Sequence, residues 1–160
     1  ATETLLIDEE ILESHLPKII KALREKNCEI RGDKEVLKID NLVTEANEQD
    51  WETEYLDSII SIKTVKNGVK EAVNHINKYG SGHTDSIISE TKSDVELFLN
   101  KVDSGIVMHN TSTQFADGGE FGMGAEIGIS TSKLHARGPV GVAQLTSFKY
   151  KVRGDGQIRP

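Results

Sequence analysis

The fold class is decided by residues 58–109, SIISIKTVKNGVKEAVNHINKYGSGHTDSIISETKSDVELFLNKVDSGIVMH. Three apolar segments in this stretch predict short strands, and the two amphipathic segments between them predict helices. The predicted strands are Ser58–Val65, Thr84–Ser89 and Ile106–His109. Strands that alternate with helices of roughly ten to fifteen residues indicate right-handed crossovers and a largely parallel sheet. We therefore predict an α/β fold.

The two helices of this stretch carry residues that are typical of helix starts. Asn67 predicts the N-cap of the first helix. Ser93 and Glu96 have the spacing of a capping box and predict the start of the second helix.

The residues before this stretch predict one helix and two strands. Asp8 is a candidate N-cap for a short turn, after which a helix with Pro17 in its first turn is expected to run to about Lys26. The segments 28–31 and 36–39 predict short strands on either side of a turn.

The regular pattern stops after His109. The following segment, NTSTQFADGGEFGMGAEIGISTSKLHARGPVG at 110–141, contains seven of the 14 glycines of the chain. Loops of this length in a compact domain are usually functional or disordered, and apolar residues such as Phe115 and Phe121 argue against disorder. The loop leaves the carboxyl end of a predicted strand, where open α/β sheets bind ligands. We predict that it forms the wall of a site, followed by a short helix from Pro139 and a strand at 146–152.

The composition excludes several classes of function. A net charge of −7 and a pI near 5.3 argue against binding to nucleic acid or to an anionic membrane surface. No apolar run has the length of a membrane span. A single cysteine, Cys28, excludes an internal disulfide and agrees with a cytoplasmic location. Because the chain starts without Met and its first residues resemble the middle of a domain, we expect a piece of a longer protein.

Polar side chains at two places are candidates for a site. Asn110, Ser112 and Thr113 can donate hydrogen bonds to an oxyanion or to a substrate carboxylate. The alternative is that these three side chains hold the loop through bonds to its own backbone. From the residues alone, Glu54 is interpreted as a solvated loop carboxylate.

Arg137 is a candidate anion ligand because it precedes Pro139, at a predicted helix start. The alternative is a structural ion pair with Glu120 or Glu126. The glycines at 122–128 do not form a dinucleotide-binding fingerprint, since their spacing is wrong by one residue and no strand leads into them.

The residues predict no metal site and no nucleophile. Cys28 has no histidine near it in sequence and is interpreted as an inert packed thiol. The histidines lack ligand-like spacing with cysteine, aspartate or glutamate: His75, His83, His109 and His135. The residues by themselves therefore predict a polar, anion-binding site but no reaction.

Longer motifs resemble a known family. HNTSTQFADGGEFGMGAEIGISTSKLHARGPVG at 109–141 closely resembles the C-terminal signature of the glutamate-5-semialdehyde dehydrogenases, also called gamma-glutamyl phosphate reductases. WETEYLDSIISIKTV and HINKYGSGHTDSIIS are similar to two further motifs of this family, in the same order. ATETLLI resembles the segment just after the family's catalytic cysteine. His109 and Thr111 stand where the family usually has valine and alanine.

This resemblance implies a fold and an activity. It implies a three-layer αβα catalytic domain of the aldehyde dehydrogenase superfamily over residues 1–145, and an oligomerisation strand and tail over 146–160 that form a homodimer. The implied reaction is the NADPH-dependent reduction of L-glutamyl 5-phosphate to glutamate 5-semialdehyde, with release of phosphate, in proline biosynthesis. A functional link to glutamate 5-kinase is implied as well. The nucleophilic cysteine is expected two residues before Ala1, so this chain alone is expected to be inactive.

The resemblance also implies roles for individual residues. Glu54 aligns with a glutamate that contacts the nicotinamide ribose, and Leu56 stands where that motif has a phenylalanine packed on the ring. Asn110, Ser112 and Thr113 fall on the substrate loop, and Arg137 is a candidate for the substrate carboxylate or the leaving phosphate. Two other hypotheses stay open: a non-catalytic binding or dimerisation module of the same fold, and another acylating aldehyde dehydrogenase.

Overall fold

The computed structural model describes residues 2–130, 133 and 136–159. Four parallel strands form its larger sheet, in the order β1-β4-β2-β3. The strands are β1 (Thr4–Asp8), β2 (Glu29–Gly32), β3 (Thr44–Glu45) and β4 (Ile59–Val65). The predicted α/β class with parallel strand pairing is confirmed.

Both faces of strand β4 are covered. Ile60 and Ile62 pack in a core with α1 (Leu12–Arg24) and α2 (Lys34–Ile39). On the other face, Lys63 lies over the ring of Trp51, which ends a 3-10 turn at Glu48–Trp51. Helix α3 (Gly68–Tyr79) packs on the same side, with His75 against Trp51. The sheet therefore lies between two helical layers, as the three-layer prediction requires.

The remaining strands form two small sheets. Strands β5 (Thr84–Ile87) and β6 (Ile106–His109) are parallel and are connected by α4 (Lys92–Lys101). Val73, Phe98 and Val102 form the core between α3, α4 and this pair. Strands β7 (Ile127–Ile129) and β8 (Gly138–Val140) are antiparallel. The parallel strands are thus divided between two sheets rather than joined in one.

The strand predicted at 36–39 is wrong, because these residues lie in helix α2. The predicted turn is instead the start of this helix, where one Asp33 carboxylate oxygen accepts hydrogen bonds from the amides of Glu35 and Val36. A side chain that bonds these first amides stabilises a helix over an extended chain.

Pro17 lies inside helix α1, not in its first turn as predicted. The helix starts at Leu12 because Leu12, Leu16 and Ile20 are spaced one turn apart and are all buried. This burial offsets the hydrogen bond that a proline cannot donate. The separate short turn before the helix is confirmed at Glu9–Ile11, with Asp8 as its cap.

The other helix-start predictions are only partly right. Asn67 precedes α3, but its side chain accepts no helix amide. Instead, the Glu71 carboxylate accepts hydrogen bonds from the backbone amides of Lys66 and Asn67. The capping box is wrong, since Ser93 lies within α4 and the preceding Thr91 makes no side-chain cap.

Two predictions near the carboxyl end are also wrong for the single chain. Pro139 lies in strand β8, not at a helix start. Residues 146–152 form no strand in the described part of the chain, and Phe148, Tyr150 and Val152 are 82%, 86% and 90% exposed. Strand geometry needs a hydrogen-bonded neighbour, and none of the described strands pairs with this segment. Across the described residues, no helix is both long enough and apolar enough to cross a membrane.

Candidate active site

A cavity of about 290 Å³ lies at the amino end of strand β1. Its lining residues are Thr2, Glu3, Glu54, Leu56, Asp57 and Ile59. Both residues that were predicted to contact a cofactor, Glu54 and Leu56, therefore meet the first residues of the chain here. A more open groove of about 400 Å³ lies along α1 near Pro17 and Arg24, and none of the predicted site residues lines it.

The loop before β4 presents Glu54 and Leu56 to this cavity. Leu56 has a φ of 53°, a left-handed conformation that is uncommon for a residue other than glycine, and is 88% exposed. Tyr55 lies between them, and its hydroxyl donates to the Asp50 carboxylate at 2.7 Å. The loop thus carries an acidic and an apolar side chain on one side and an anchored tyrosine on the other.

Asp50 is a buried anion held by several donors. It is 3% exposed, and it accepts hydrogen bonds from Arg31 Nη1 at 2.6 Å and from the amide of Asn47 at 2.7 Å. Burial alone would raise the pKa of Asp50, but these bonds and the one from Tyr55 outweigh it and hold the pKa below its usual range. The carboxylate therefore stays charged and keeps its partners in place.

Two carboxyl groups, those of Glu3 and Glu54, line the cavity. Burial raises the pKa of Glu3, and the negative charge of Glu54 raises it further. The carbonyl of Glu3 is fixed by the backbone amide of Ser61 at 2.9 Å. The cavity can therefore offer carboxyl oxygens as hydrogen-bond acceptors to the hydroxyl groups of a ligand.

Thr113 lies against the same end of the chain. Its Oγ1 atom is 3.3 Å from Oγ1 of Thr2. The Ser112 hydroxyl accepts a hydrogen bond from the amide of Gln114 and caps the 3-10 turn at Thr113–Phe115. The carboxyl end of β6 therefore meets the amino end of β1, so the loop after His109 and the cavity share one region.

Asn110 follows β6 with a φ of 50°, and both polar ends of its side chain are bonded within the chain. Its amide oxygen accepts from the backbone amide of Ser89 at 3.0 Å, and its nitrogen donates to Glu90 Oε1 at 3.2 Å. These contacts hold the loop between β5 and α4. They correspond to the backbone-holding alternative, while contact of Asn110 with a substrate stays a prediction.

Arg137 lies at the other end of β6. Its guanidinium donates to the carboxylate and to the carbonyl oxygen of Asp103, each at 3.2 Å, and Lys133 bonds the same carboxylate. A Cβ atom on Gly105, just before β6, would lie 3.2 Å from Cβ of Arg137. Since each strand residue spans about 3.3 Å, Arg137 and Asn110 are separated by roughly 15 Å along β6. The alternative of a structural ion pair is realised with Asp103 rather than with Glu120 or Glu126.

The glycine-rich segment folds back on itself. Asp117 accepts hydrogen bonds from the amides of Gly119 and Glu120. A Cβ atom on Gly118 would lie 2.7 Å from Cβ of Glu126, so a larger residue has no room there. This close packing explains one glycine by contact within the segment, without a ligand.

Within the described ranges, no group of three or more histidine, cysteine, aspartate or glutamate residues could hold a metal ion. His135 lies outside those residues. Cys28 is partly buried and packs against the main core, as the interpretation of an inert packed thiol expects.

Several residues of this region were not predicted. Thr2 and Glu3 meet the cavity only through contacts with residues far along the chain, which no local pattern shows. Asp50, Tyr55 and Ser61 form a hydrogen-bonded group that sequence spacing does not reveal. The sequence feature that could have indicated this group is Tyr55, an aromatic residue between an acidic and an apolar residue in a polar loop.

Several known proteins are similar to this chain in sequence and in fold. The gamma-glutamyl phosphate reductase of Parvibaculum lavamentivorans is 61% identical over 160 residues, which are 100% of this chain and 38% of that protein. A crystal structure of gamma-glutamyl phosphate reductase from Thermotoga maritima is 48% identical, with a TM-score of 0.88 over 99% of this chain and 38% of its own. Over its whole length, the chain is similar in sequence and in fold to gamma-glutamyl phosphate reductases. No protein-family model matches the sequence.

The chain spans about 38% of the length of the curated relatives that it matches. An acetylating aldehyde dehydrogenase from Geobacillus thermoglucosidasius, at 16% identity, has a TM-score of 0.55 over 96% of this chain and 44% of its own. That likeness shows an aldehyde dehydrogenase type of fold and no more. The resemblance of the sequence motifs to the family is confirmed.

Proposed function

We propose that this chain is the C-terminal catalytic part of an enzyme that reduces L-glutamyl 5-phosphate to L-glutamate 5-semialdehyde with NADPH in proline biosynthesis. The observation that carries the proposal is the 61% identity over the whole chain to a protein named gamma-glutamyl phosphate reductase. A cytoplasmic location and supply of the acyl phosphate by glutamate 5-kinase belong to the same proposal.

The cavity fits the nicotinamide end of the cofactor. The Glu54 carboxylate can accept hydrogen bonds from ribose hydroxyls, and the exposed Leu56 side chain offers an apolar surface for a flat ring. The volume of about 290 Å³ suits part of a dinucleotide, so the adenosine end is assigned to residues outside this chain. When bound, NADPH supplies the hydride.

The substrate is assigned to the region between Thr2 and Thr113. A cysteine thiolate two residues before Ala1 attacks the carbonyl carbon of the acyl phosphate, and phosphate leaves with the electrons of the broken C–O bond. The resulting thioester is reduced, and the thiolate leaves to give the aldehyde. Ser112 and Thr113 are proposed to contact the substrate, with Asn110 holding their loop.

The experiment is an assay of the full-length protein in the reverse direction, with glutamate 5-semialdehyde, inorganic phosphate and NADP⁺. We expect formation of NADPH that depends on phosphate, and a lower rate with NAD⁺. No activity above background would defeat the assignment of the substrate. Activity with another short aldehyde but not with glutamate 5-semialdehyde would favour a different acylating aldehyde dehydrogenase.

The tail supports a second part of the proposal, that residues 1–145 form the catalytic domain and residues 146–160 pair with a second copy. Phe148, Tyr150 and Val152 alternate with Lys149, Lys151 and Arg153, which is the pattern of a strand with one apolar face. The three apolar side chains are highly exposed in the single chain. Addition of this segment to the edge of a neighbour's sheet would bury them and form a homodimer.

Light scattering of the full-length protein tests this assembly. We expect a dimer for the wild type and a monomer for the double variant Phe148→Asp/Val152→Asp. A matched control, Lys149→Asp/Lys151→Asp, changes the other face of the segment and should stay dimeric. If the Phe148→Asp/Val152→Asp variant is still a dimer, the proposal is contradicted.

A further inference from the structure

We propose that Tyr55 is the positioning residue for the cofactor contacts, because it holds Glu54 and Leu56 at the cavity. This inference rests on the proposed function, since it takes Glu54 and Leu56 as the residues that contact the cofactor. Tyr55 itself does not line the cavity. It acts through its two neighbours in the chain.

The tyrosine is anchored at both the hydroxyl and the ring. The hydroxyl donates to Asp50 Oδ1 at 2.7 Å and lies 2.6 Å from Ser61 Oγ. The Arg31 guanidinium lies 4.9 Å from the centre of the Tyr55 ring and is itself bonded to Asp50. The loop is therefore fastened to strand β2 through Arg31 and to strand β4 through Ser61.

Ser61 contacts both chain segments that contribute to the cavity. Its side chain contacts Tyr55, and its backbone amide donates to the carbonyl of Glu3, which also lines the cavity. Ser61 is fully buried in β4, an inner strand of the larger sheet, so it provides a rigid point of attachment. The Tyr55–Ser61 contact consequently sets the position of Glu54 relative to Glu3.

The left-handed backbone of Leu56 indicates that the loop is held in place rather than relaxed. A non-glycine residue keeps a positive φ only where its surroundings fix it, and the exposed Leu56 side chain makes no such contribution. The anchor on the neighbouring Tyr55 supplies this constraint. Without the hydroxyl, Leu56 is free to return to an extended conformation, and Glu54 moves with it.

The test compares Tyr55→Phe with Tyr79→Phe in the full-length enzyme. Tyr79 is a matched control because its hydroxyl also bonds a carboxylate, that of Glu48, but it lies on α3 and lines neither cavity. The dissociation constant of NADPH is measured by calorimetry, and KM and kcat are measured in the reverse assay. For Tyr55→Phe we expect the NADPH dissociation constant and the KM for NADP⁺ to rise about five- to tenfold, which corresponds to the loss of about 1 kcal/mol, the net contribution of one typical hydrogen bond. The KM for glutamate 5-semialdehyde should match that of the control.

Several results would overturn the inference. One is unchanged NADPH binding by Tyr55→Phe, and another is an equal loss of affinity for both substrates, which would indicate a general structural role. If Tyr55→Phe does not fold, Ser61→Ala, which keeps the Tyr55–Asp50 bond, must show a smaller but still selective loss of NADPH affinity. A wild type that binds NADPH but does not oxidise glutamate 5-semialdehyde defeats the proposed substrate alone, whereas a wild type that binds no NADPH defeats both proposals.

Discussion

Acidification should destabilise this fold through His75. The ring is 7% exposed and lies 5.7 Å from the ring of Trp51 and 4.7 Å from that of Tyr79, centre to centre. Among the described residues, its buried Nε2 atom has no hydrogen-bond partner. Burial, aided by the positive charge of Lys63, lowers the pKa of His75 to about 4. Glu48 and Glu71 oppose this shift, and Lys78 adds to it.

The sign of the effect follows from the two protonation states. Between a pKa of about 6.5 in the unfolded chain and about 4 in the fold, the unfolded chain binds a proton that the folded chain does not. The contribution of neutral His75 to the free energy of unfolding is therefore fully present above this interval, and it is lost as the pH falls through it. From these two values, the free energy of unfolding should be about 2 kcal/mol lower at pH 5 than at pH 7.

Urea unfolding followed by the fluorescence of Trp51, the only tryptophan, measures this difference. His75→Phe keeps an aromatic ring against Trp51 and Tyr79, and it should remove most of the loss between pH 7 and pH 5. The control variant His15→Gln changes an exposed histidine on α1 and should keep the wild-type loss. Equal pH dependence of the wild type and His75→Phe would refute the reasoning, because the loss would then come from other groups.

Three further substitutions test other parts of the structure. Leu16→Ala removes a fully buried side chain from the main core and should cost about 3 to 5 kcal/mol of unfolding free energy in urea; a loss below about 1 kcal/mol would contradict the packing. Asp33→Ala removes the carboxylate that caps α2 and that accepts a hydrogen bond from the amide of Thr64 at 2.6 Å. Hydrogen exchange of the Thr64 amide should therefore accelerate, and an unchanged exchange rate would show that this bond is not formed. Arg137→Ala should lower the melting temperature and leave the KM for glutamate 5-semialdehyde within about twofold, whereas a selective rise in KM would support the predicted role of Arg137 as a substrate ligand.

The parts of the fold that follow from local pattern were predictable. Strand β4 is rich in isoleucine and is buried on both faces, and β6 was predicted with its observed limits at Ile106 and His109. The segment 36–39 was not, since four residues rich in valine, leucine and isoleucine fit a strand and a helix equally well. The carboxylate of Asp33 favours the helix, because it accepts hydrogen bonds both from the first amides of α2 and from the amide of Thr64 in strand β4.

The site was predictable only in part, because it is made of contacts between distant segments. The motif around Glu54 and the loop around Thr113 could each be recognised, but their meeting at Thr2 depends on the packing of two sheets. The position of Arg137 could not be foreseen, since it is set by the antiparallel pairing of β7 and β8 and by Asp103. Residues that only support the site, such as Tyr55, carry no signal of their own in the sequence.

A disulfide between positions 2 and 113 tests the central geometry most directly. In a Cys28→Ser background, the variant Thr2→Cys/Thr113→Cys places two thiols where hydroxyl oxygens now lie 3.3 Å apart. We expect rapid oxidation to an intramolecular disulfide, seen by intact mass, while Thr2→Cys/Ser147→Cys, with one position moved to the exposed tail, stays reduced. If the first pair stays reduced and the chain is folded, the loop after β6 does not meet the amino end of β1, and the proposed site is wrong.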